Sequence, residues 1–270
     1  MNIITSPTVE LISRQELITG NLDRWLSANG LAWERDENDG SPGEVIAEAA
    51  GRVCYLSYKN PRPGGNSSYL AHIKEVGHGS VLEHTVFTFL LSGISRSLTH
   101  ELIRHRVGVA YSQVSQRYVE ERTADYVCPA IIHESPVFLG HWREAMKGSH
   151  EIYLELVRGI TDRIATETGY RERWLPESAT LTDHKKLARQ AARSVLPNAT
   201  ETKMAFTANA RALRHIFDMR AKFEAEPEIR VLAHSLWTIV ERDSPHLFSD
   251  YTEVSLPDGT KALATDYPGV

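Results

Sequence analysis

Hydrophobic and polar positions along this 270-residue chain follow two periods. Thr8–Ser13 is a short β-like run, and Glu16–Ser27 carries apolar residues at helical spacing. Ala32–Pro42 is acidic, contains Gly and Pro, and reads as a loop. Gly43–Tyr55 is Ala-rich and predicts a helix. Asn60–Ser68 holds two Pro and two Gly and predicts a surface loop. The end of that loop, Asn66–Ser68, can cap a helix over Tyr69–Val76. Thr85–Leu91 is rich in Val, Phe and Thr and predicts a strand. Ser95 or Ser97 then caps a helix running to about Arg106.

The second half is mainly helical. Val137–Thr168 has long amphipathic spacing with a break expected near Gly148. Leu181–Val195 predicts a basic helix that stops at Pro197. Thr200–Thr207 alternates as a strand does. Ala210–Ala221 and Glu228–Arg242 predict helices, and the tail from Ser255 is polar and rich in Gly and Pro. No internal repeat, low-complexity tract or long linker interrupts this order. The expected class is α/β (α+β), a mixed sheet packed against helices in a single domain over residues 1–270.

Composition narrows the function. Thirty Lys and Arg against 35 Asp and Glu give a net charge of −5, which argues against a broad nucleic-acid binder. With 41% hydrophobic and 24% charged residues, disorder over the whole chain is excluded. Two cysteines, Cys54 and Cys128, exclude a disulfide scaffold. The longest apolar run, near Val86–Leu91, is far short of the ~20 residues of a membrane span. No signal-peptide pattern occupies Met1–Glu10. The expectation is a soluble, cytoplasmic protein with reduced thiols and no membrane partner.

The densest chemistry lies in Arg96-x-x-x-His100-Glu101-x-x-Arg104-His105-Arg106, followed by Tyr111 to Tyr118. At ~100° per residue, Arg96, His100 and Arg104 would share one helix face. Such a face is either a solvated charged surface or a place where an anion binds. Arginine suits phosphate because its planar fork makes paired, charge-assisted hydrogen bonds. A zinc-protease reading of His100-Glu101 fails, because the second His must lie at i+4 and His105 lies at i+5. His72, His78, Glu83 and His84 match no common zinc spacing, so no metal is expected. Gly77-His78-Gly79 is no dinucleotide fingerprint, and no Gly-x-Ser-x-Gly elbow occurs.

Arg104-His105-Arg106, a spacer, then Ser115-Gln116-Arg117-Tyr118 resembles the signature of the flavin-dependent thymidylate synthases. That family reads Arg-His-Arg, seven residues, then Ser. Further blocks look like family blocks in family order: Gly51 to Tyr55, His78 to His84, Arg189 to Pro197, and Asn209 to Arg211 with Arg220. Together they span about residues 45–250. The resemblance implies an α/β homotetramer whose active sites are each built by several subunits. It implies FAD as cofactor, NADPH as reductant and methylenetetrahydrofolate as one-carbon donor. The product would be a C5-methylated uridylate, dTMP from dUMP in the usual case.

Position by position, the resemblance implies flavin and nucleotide contacts from Arg104, His105 and Arg106. It implies flavin and folate contacts from His78, Ser80 and Glu83, and flavin contacts from Asn209, Arg211 and His215. Arg96, Glu101, Gln113, Ser115, Arg117 and Arg193 match the nucleotide-binding set. Arg220 matches the arginine that grips uracil, and with Arg104 it forms the catalytic pair. A fixed guanidinium there would stabilise negative charge on the uracil carbonyls as C5 becomes nucleophilic. Bland readings stand beside these. Ser80 and Asn209 could be helix caps, Glu83 a solvated charge, and Tyr55 and Tyr69 packing residues. Neither cysteine sits in the motif of the thiolate-using thymidylate synthases.

Two departures change the expectation. The spacer Val107–Val114 has eight residues instead of seven. With Gly108 and Ala110 small, and Tyr111 or Ser112 able to bond a hydroxyl, a displaced loop could admit the 2′-OH of UMP beside dUMP. Glu224 stands where the family usually has His, four residues after the uracil arginine. Two other classes stay open: a nucleotide-binding regulatory protein that has lost catalysis, and a helical protein whose Arg-His-Arg cluster binds an anionic partner.

Overall fold

A computed structural model describes residues 2–36 and 38–270. Glu37, inside the predicted Ala32–Pro42 loop, lies outside the described residues. In chain order the elements are β1 (Ile3–Ile4), β2 (Thr8–Arg14), α1 (Thr19–Ala28), α2 (Pro42–Val53), α3 (Gly65–Glu75), β3 (Val86–Ser95), α4 (Arg96–Leu102), β4 (Val109–Gln113) and β5 (Tyr126–Val127). There follow α5 (Ala130–His133), α6 (Pro136–Thr166), α7 (Thr168–Trp174), α8 (Leu181–Ala192), β6 (Glu201–Asn209), α9 (Ala210–Arg220), α10 (Pro227–Asp243), α11 (Pro245–Phe248), β7 (Thr252–Ser255) and β8 (Lys261–Ala264). A four-stranded sheet has the order β2-β3-β6-β4.

The chain divides into two compact units, each assembled from separate segments. The first holds the segment ending at Pro7, Ser92–His100 and Gln113–Met204. The second holds Thr8–Leu91, Glu101–Ser112 and Ala205–Val270.

In the first unit β1 pairs in parallel with β5, Ile3 opposite Tyr126 and Ile4 opposite Val127. The long α6 packs along α8, burying Tyr153, Val157 and Ala192. Helix α6 starts where Ser135 accepts from the Phe138 N–H and Pro136 occupies the first turn. Helix α8 starts with a capping box between Thr180 and Asp183.

The core of the second unit is aromatic. Phe89 of β3 stacks on Phe206 of β6, which also stacks on Tyr111 of β4. Phe217 of α9 and Phe87 of β3 both meet Phe248 of α11. Each buried ring contributes roughly 1.5–3 kcal/mol of hydrophobic stabilisation. A buried ion cluster joins α3, α9 and the turn before β7: Lys74 Nζ lies 2.7 Å from Asp250, and Arg214 reaches both Asp250 oxygens at 2.8 Å. Burial pushes the Asp250 carboxyl up, but the Arg214 and Lys74 cations outweigh it and hold the group down at about 2.

Several expectations need correction. Gly148 does not break its helix; α6 runs unbroken for 31 residues. A mid-helix glycine costs ~1 kcal/mol, too little to end a helix anchored by its packing on α8. Helix α3 starts at Gly65, so Asn66–Ser68 lie inside it. Asn66 is buried and bonds the Glu44 carbonyl and the Glu48 carboxylate instead of capping. Helix α4 ends at Leu102, so Arg104 follows it in a turn and shares no helix face with Arg96. Ser95, of the two candidates, bonds the Leu98 N–H at α4. The spacer holds strand β4, and the tail folds as the antiparallel hairpin β7–β8. Tyr55 is 75% exposed and packs little. Among the described residues no helix is long and apolar enough to cross a membrane.

Candidate active site

In the second unit, the turn after α4 and α9, from its first turn to its last, line one cavity of about 640 Å³. Arg104, His105 and Arg106 supply one wall. Asn209, Arg211, His215 and Arg220 supply another, with Glu83 and Val270 at the edge. Asn209 ends β6 and caps α9: its Oδ1 accepts from the Ala212 N–H at 2.8 Å. Arg211 and His215 therefore stand one helical turn apart on the helix that Asn209 starts. Arg211 Nη1 meets Glu83 Oε1 at 2.6 Å, both side chains partly exposed.

The Arg-His-Arg turn is fixed from within its own unit. Tyr111 Oη donates to the Leu102 and His105 carbonyls at 2.8 and 2.7 Å. The Asn209 N–H donates to the Gly108 carbonyl at 2.9 Å. Gly108 has φ +71, and a Cβ there would come within 2.5 Å of Asn209 Nδ2. Glycine is required at this position by conformation and by space. Val109–Gln113 is strand, and the Tyr111 hydroxyl is already committed.

Arg220 ends α9 and is held on three sides. Its Nε donates to His105 Nε2 at 3.1 Å, Nη1 to Glu101 Oε2 at 2.6 Å, and Nη2 to the Glu101 carbonyl at 3.4 Å. Of the five guanidinium N–H groups, these contacts use three. His105 Nε2 can accept only when its ring is neutral. Burial first, then Arg220 and His215, push the His105 pKa down to about 4, so the ring is neutral at neutral pH. The His215 ring stands edge-on to it at 5.4 Å.

The first unit holds a second polar cavity of about 460 Å³, lined by Arg96, Gln116, Gln190, Arg193, Ser194 and Asn198. Among the described residues, Arg96 Nη1 and Gln116 Nε2 are buried there with no hydrogen-bond partner, as is Arg117 Nε nearby in sequence. Unpaired buried donors are costly. Two guanidiniums in one polar cavity suit a phosphate group. Gln113 is committed to Thr99 and Thr202, at 3.2 and 3.3 Å. Ser115 Oγ accepts from the Arg117 N–H at 3.4 Å. Neither lines this cavity.

The nucleotide set expected from sequence is thus divided. Arg96 and Arg193 come together in the first unit, whereas Glu101 belongs to the second and holds Arg220. His78 and Ser80 are exposed and line no cavity described here, though Gly79 between them packs against Arg211 and Val270. Ser80 sits inside a short 3₁₀ turn and is not its cap. Glu224 is exposed in the turn between α9 and α10 and is absent from the cavity lining. Gln116, Gln190 and Ser194 lie inside the family-like blocks, yet nothing in the sequence singled them out. Met219 and Val270, which line the larger cavity, carried no sequence signal.

A family model described as thymidylate synthase complementing protein matches residues 39–246. The flavin-dependent thymidylate synthase of Mycolicibacterium gilvum is 44% identical over 237 residues, covering 87% of this chain and 89% of that protein. The chain belongs to the flavin-dependent thymidylate synthase family. The Mycolicibacterium vanbaalenii and Corynebacterium efficiens flavin-dependent thymidylate synthases are 45% and 38% identical, each over 87% or more of this chain and 89% or more of theirs. Among solved structures, a UMP/dUMP methylase, PolB from Streptomyces cacaoi, bound with 5-Br dUMP, superposes with a TM-score of 0.62. It is 19% identical and covers 92% of this chain and 96% of its own. The same methylase bound with 5-Br UMP gives 0.60. These two likenesses establish the shared fold. Four arginines beside one carboxylate give the larger cavity a lining suited to an anionic ligand.

Proposed function

We propose that this protein methylates C5 of dUMP to give dTMP, with FAD as cofactor, NADPH as reductant and methylenetetrahydrofolate as carbon donor. The observation that carries the reading is Arg220, pinned by Glu101 and neutral His105 with two N–H groups left for a ligand. A preorganised guanidinium stabilises negative charge on the uracil carbonyls, and it needs no rearrangement at the moment of reaction. Arg104, His105, Arg106, Asn209, Arg211 and His215 would hold FAD, which supplies hydride chemistry when bound. The α9 N-terminus and the three arginines favour its diphosphate. Family likeness supports a role for His78, Ser80 and Glu83 in the flavin and folate region.

Arg96 and Arg193 bind the nucleotide phosphate, joined by Gln116 and supported by Gln113, Ser115 and Arg117. The protein works as a homotetramer, in which residues from more than one copy complete each active site. No protein thiolate attacks uracil. Cys128 is buried, and burial pushes its thiol pKa up, away from the reactive form. Cys54 is exposed, and neither cysteine lines either cavity.

UMP is the second reading, favoured by the likeness to a methylase described as acting on UMP and dUMP. The test is reconstitution with FAD, followed by assays with dUMP and UMP in parallel. The proposal expects a yellow tetramer, near-stoichiometric flavin and dTMP formation. Methylated UMP would extend it to the ribonucleotide. A colourless monomer that never takes up FAD would overturn it.

A further inference from the structure

We infer that Arg189 is a positioning residue for the nucleotide: it ties the Ser115–Val119 turn to α8 and so sets how far Gln116 stands from Arg193 across the smaller cavity. The inference rests on the reading of that cavity as the phosphate site.

The walls of this cavity come from different segments. Gln116 belongs to the turn that follows β4, whereas Gln190, Arg193 and Ser194 come from the end of α8 and the residues just after it. Arg189 precedes Gln190 on α8 and reaches across to the other segment. Its Nη1 donates to the Tyr118 carbonyl at 3.0 Å, and its Nη2 meets Glu120 Oε2 at 3.4 Å. The Arg189 side chain is 14% exposed and that of Glu120 19%, so solvent screens this pair less than a surface ion pair. Burial pushes the Glu120 carboxyl up, but Arg122 and Arg189 outweigh it and hold the group below the usual carboxylate range. Lys186, one helical turn before Arg189, adds a second hold, with its Nζ 4.7 Å over the Tyr118 ring.

A grip on Tyr118 reaches Gln116 through a short, bonded turn. The Tyr118 and Val119 N–H groups both donate to the Ser115 carbonyl, at 3.1 and 3.0 Å. Upstream, the Val114 N–H donates to the Lys203 carbonyl at 3.0 Å. Downstream, the Glu121 N–H donates to Tyr153 Oη at 3.3 Å. Neither anchor lies on α8, so Arg189 and Lys186 set the distance of the turn from that helix.

Hydrogen bonds weaken steeply away from their preferred distance and angle. A turn that drifts from α8 carries the Gln116 amide away from a phosphate held by Arg193. Nucleotide binding then weakens, while the groups that carry the chemistry are unaltered.

The experiment uses the FAD-loaded enzyme with dUMP varied and the other substrates saturating. Arg189→Met keeps the side-chain bulk but neither charge nor donors. It should raise the KM for dUMP roughly tenfold, the loss of one charge-assisted contact to the phosphate. Turnover at saturating dUMP should stay within about twofold of wild type, as loss of binding alone requires. Arg189→Lys, able to keep one of the two contacts, should fall between. Thr180→Ala is the control for helix stability: it removes the N-cap at the other end of α8 and should leave the dUMP KM unchanged.

A second readout needs no activity. In the ligand-free protein, the Tyr118 and Val119 amides should exchange with solvent faster in Arg189→Met than in wild type or Thr180→Ala. A dUMP KM in Arg189→Met within about twofold of wild type, or matched by Thr180→Ala, would overturn the proposal. Unchanged exchange at Tyr118 and Val119 would do the same. If Arg193→Met also leaves the dUMP KM unchanged, the phosphate reading of the cavity fails, while amide exchange still decides whether Arg189 holds the turn.

Discussion

Gly108→Ala tests how tightly the Arg-His-Arg turn is tied to α9. Alanine at φ +71 costs roughly 1 kcal/mol in backbone strain alone. Its Cβ would also lie 2.5 Å from Asn209 Nδ2 and 2.8 Å from Asn209 Cγ, so the Asn209 side chain must move. Moving it breaks the cap on Ala212, and losing an N-cap costs about 1 kcal/mol. The total is roughly 2 kcal/mol, taken as the sum of strain and cap loss. Gly77→Ala is the matched control. It has φ +74 but nothing within 4 Å of the new Cβ, so it should lose only the ~1 kcal/mol of strain. Urea unfolding of both variants, read at unchanged m, gives the difference. FAD affinity should fall with Gly108→Ala and hold with Gly77→Ala, because Asn209 lines the cavity proposed to hold the flavin. Equal stability losses to within ~0.5 kcal/mol, a neutral surface value, with unchanged FAD affinity, would refute the coupling of turn to cap.

Three further outcomes are expected. Arg220→Ala should lower methylation turnover ~100-fold or more, the typical effect of removing a preorganised charge contact; a loss under tenfold at unchanged KM would count against its role. Arg96→Met should abolish the rise in Tm that dUMP gives wild type, while the ligand-free protein keeps its stability because an unpaired buried donor has been removed; a clear loss of ligand-free stability would contradict this. His105 has a folded pKa of about 4, below the usual histidine value, so its contribution to stability is present above ~6.5 and is lost as pH falls toward 4. Urea unfolding of wild type and His105→Gln at about pH 7 and pH 5 should show a steeper loss in wild type, and equal slopes would exclude a neutral His105 in the folded state.

How far the sequence could be read depended on the range of the interactions. Capped helices were legible because their signals are local: Ser95 before α4, and the basic run Leu181–Val195 up to its Pro197 stop. Strand β4 was not, because five residues inside a motif spacer become strand only by pairing with β6. Gly148 misled for the opposite reason, since packing of α6 on α8 outweighs a local penalty. Family-like blocks named most residues of the larger cavity, including Arg104, Asn209 and Arg220. They said nothing of what holds Arg220 in place. That the His105 ring accepts from Arg220 depends on burial and on a contact between distant segments. The same limit hid Gln116 and Gln190, whose significance lies in an unpaired donor and a cavity wall.

The central claim is flavin-dependent methylation without an enzyme thiolate. Its most direct test is the cysteine-free variant Cys54→Ala/Cys128→Ala, assayed for dTMP from dUMP with the folate donor and NADPH, with and without FAD. The account predicts product at close to the wild-type rate with FAD and none without it. Product formed by wild type but lost in the folded, FAD-loaded cysteine-free variant would contradict it, as would methylation that proceeds without flavin.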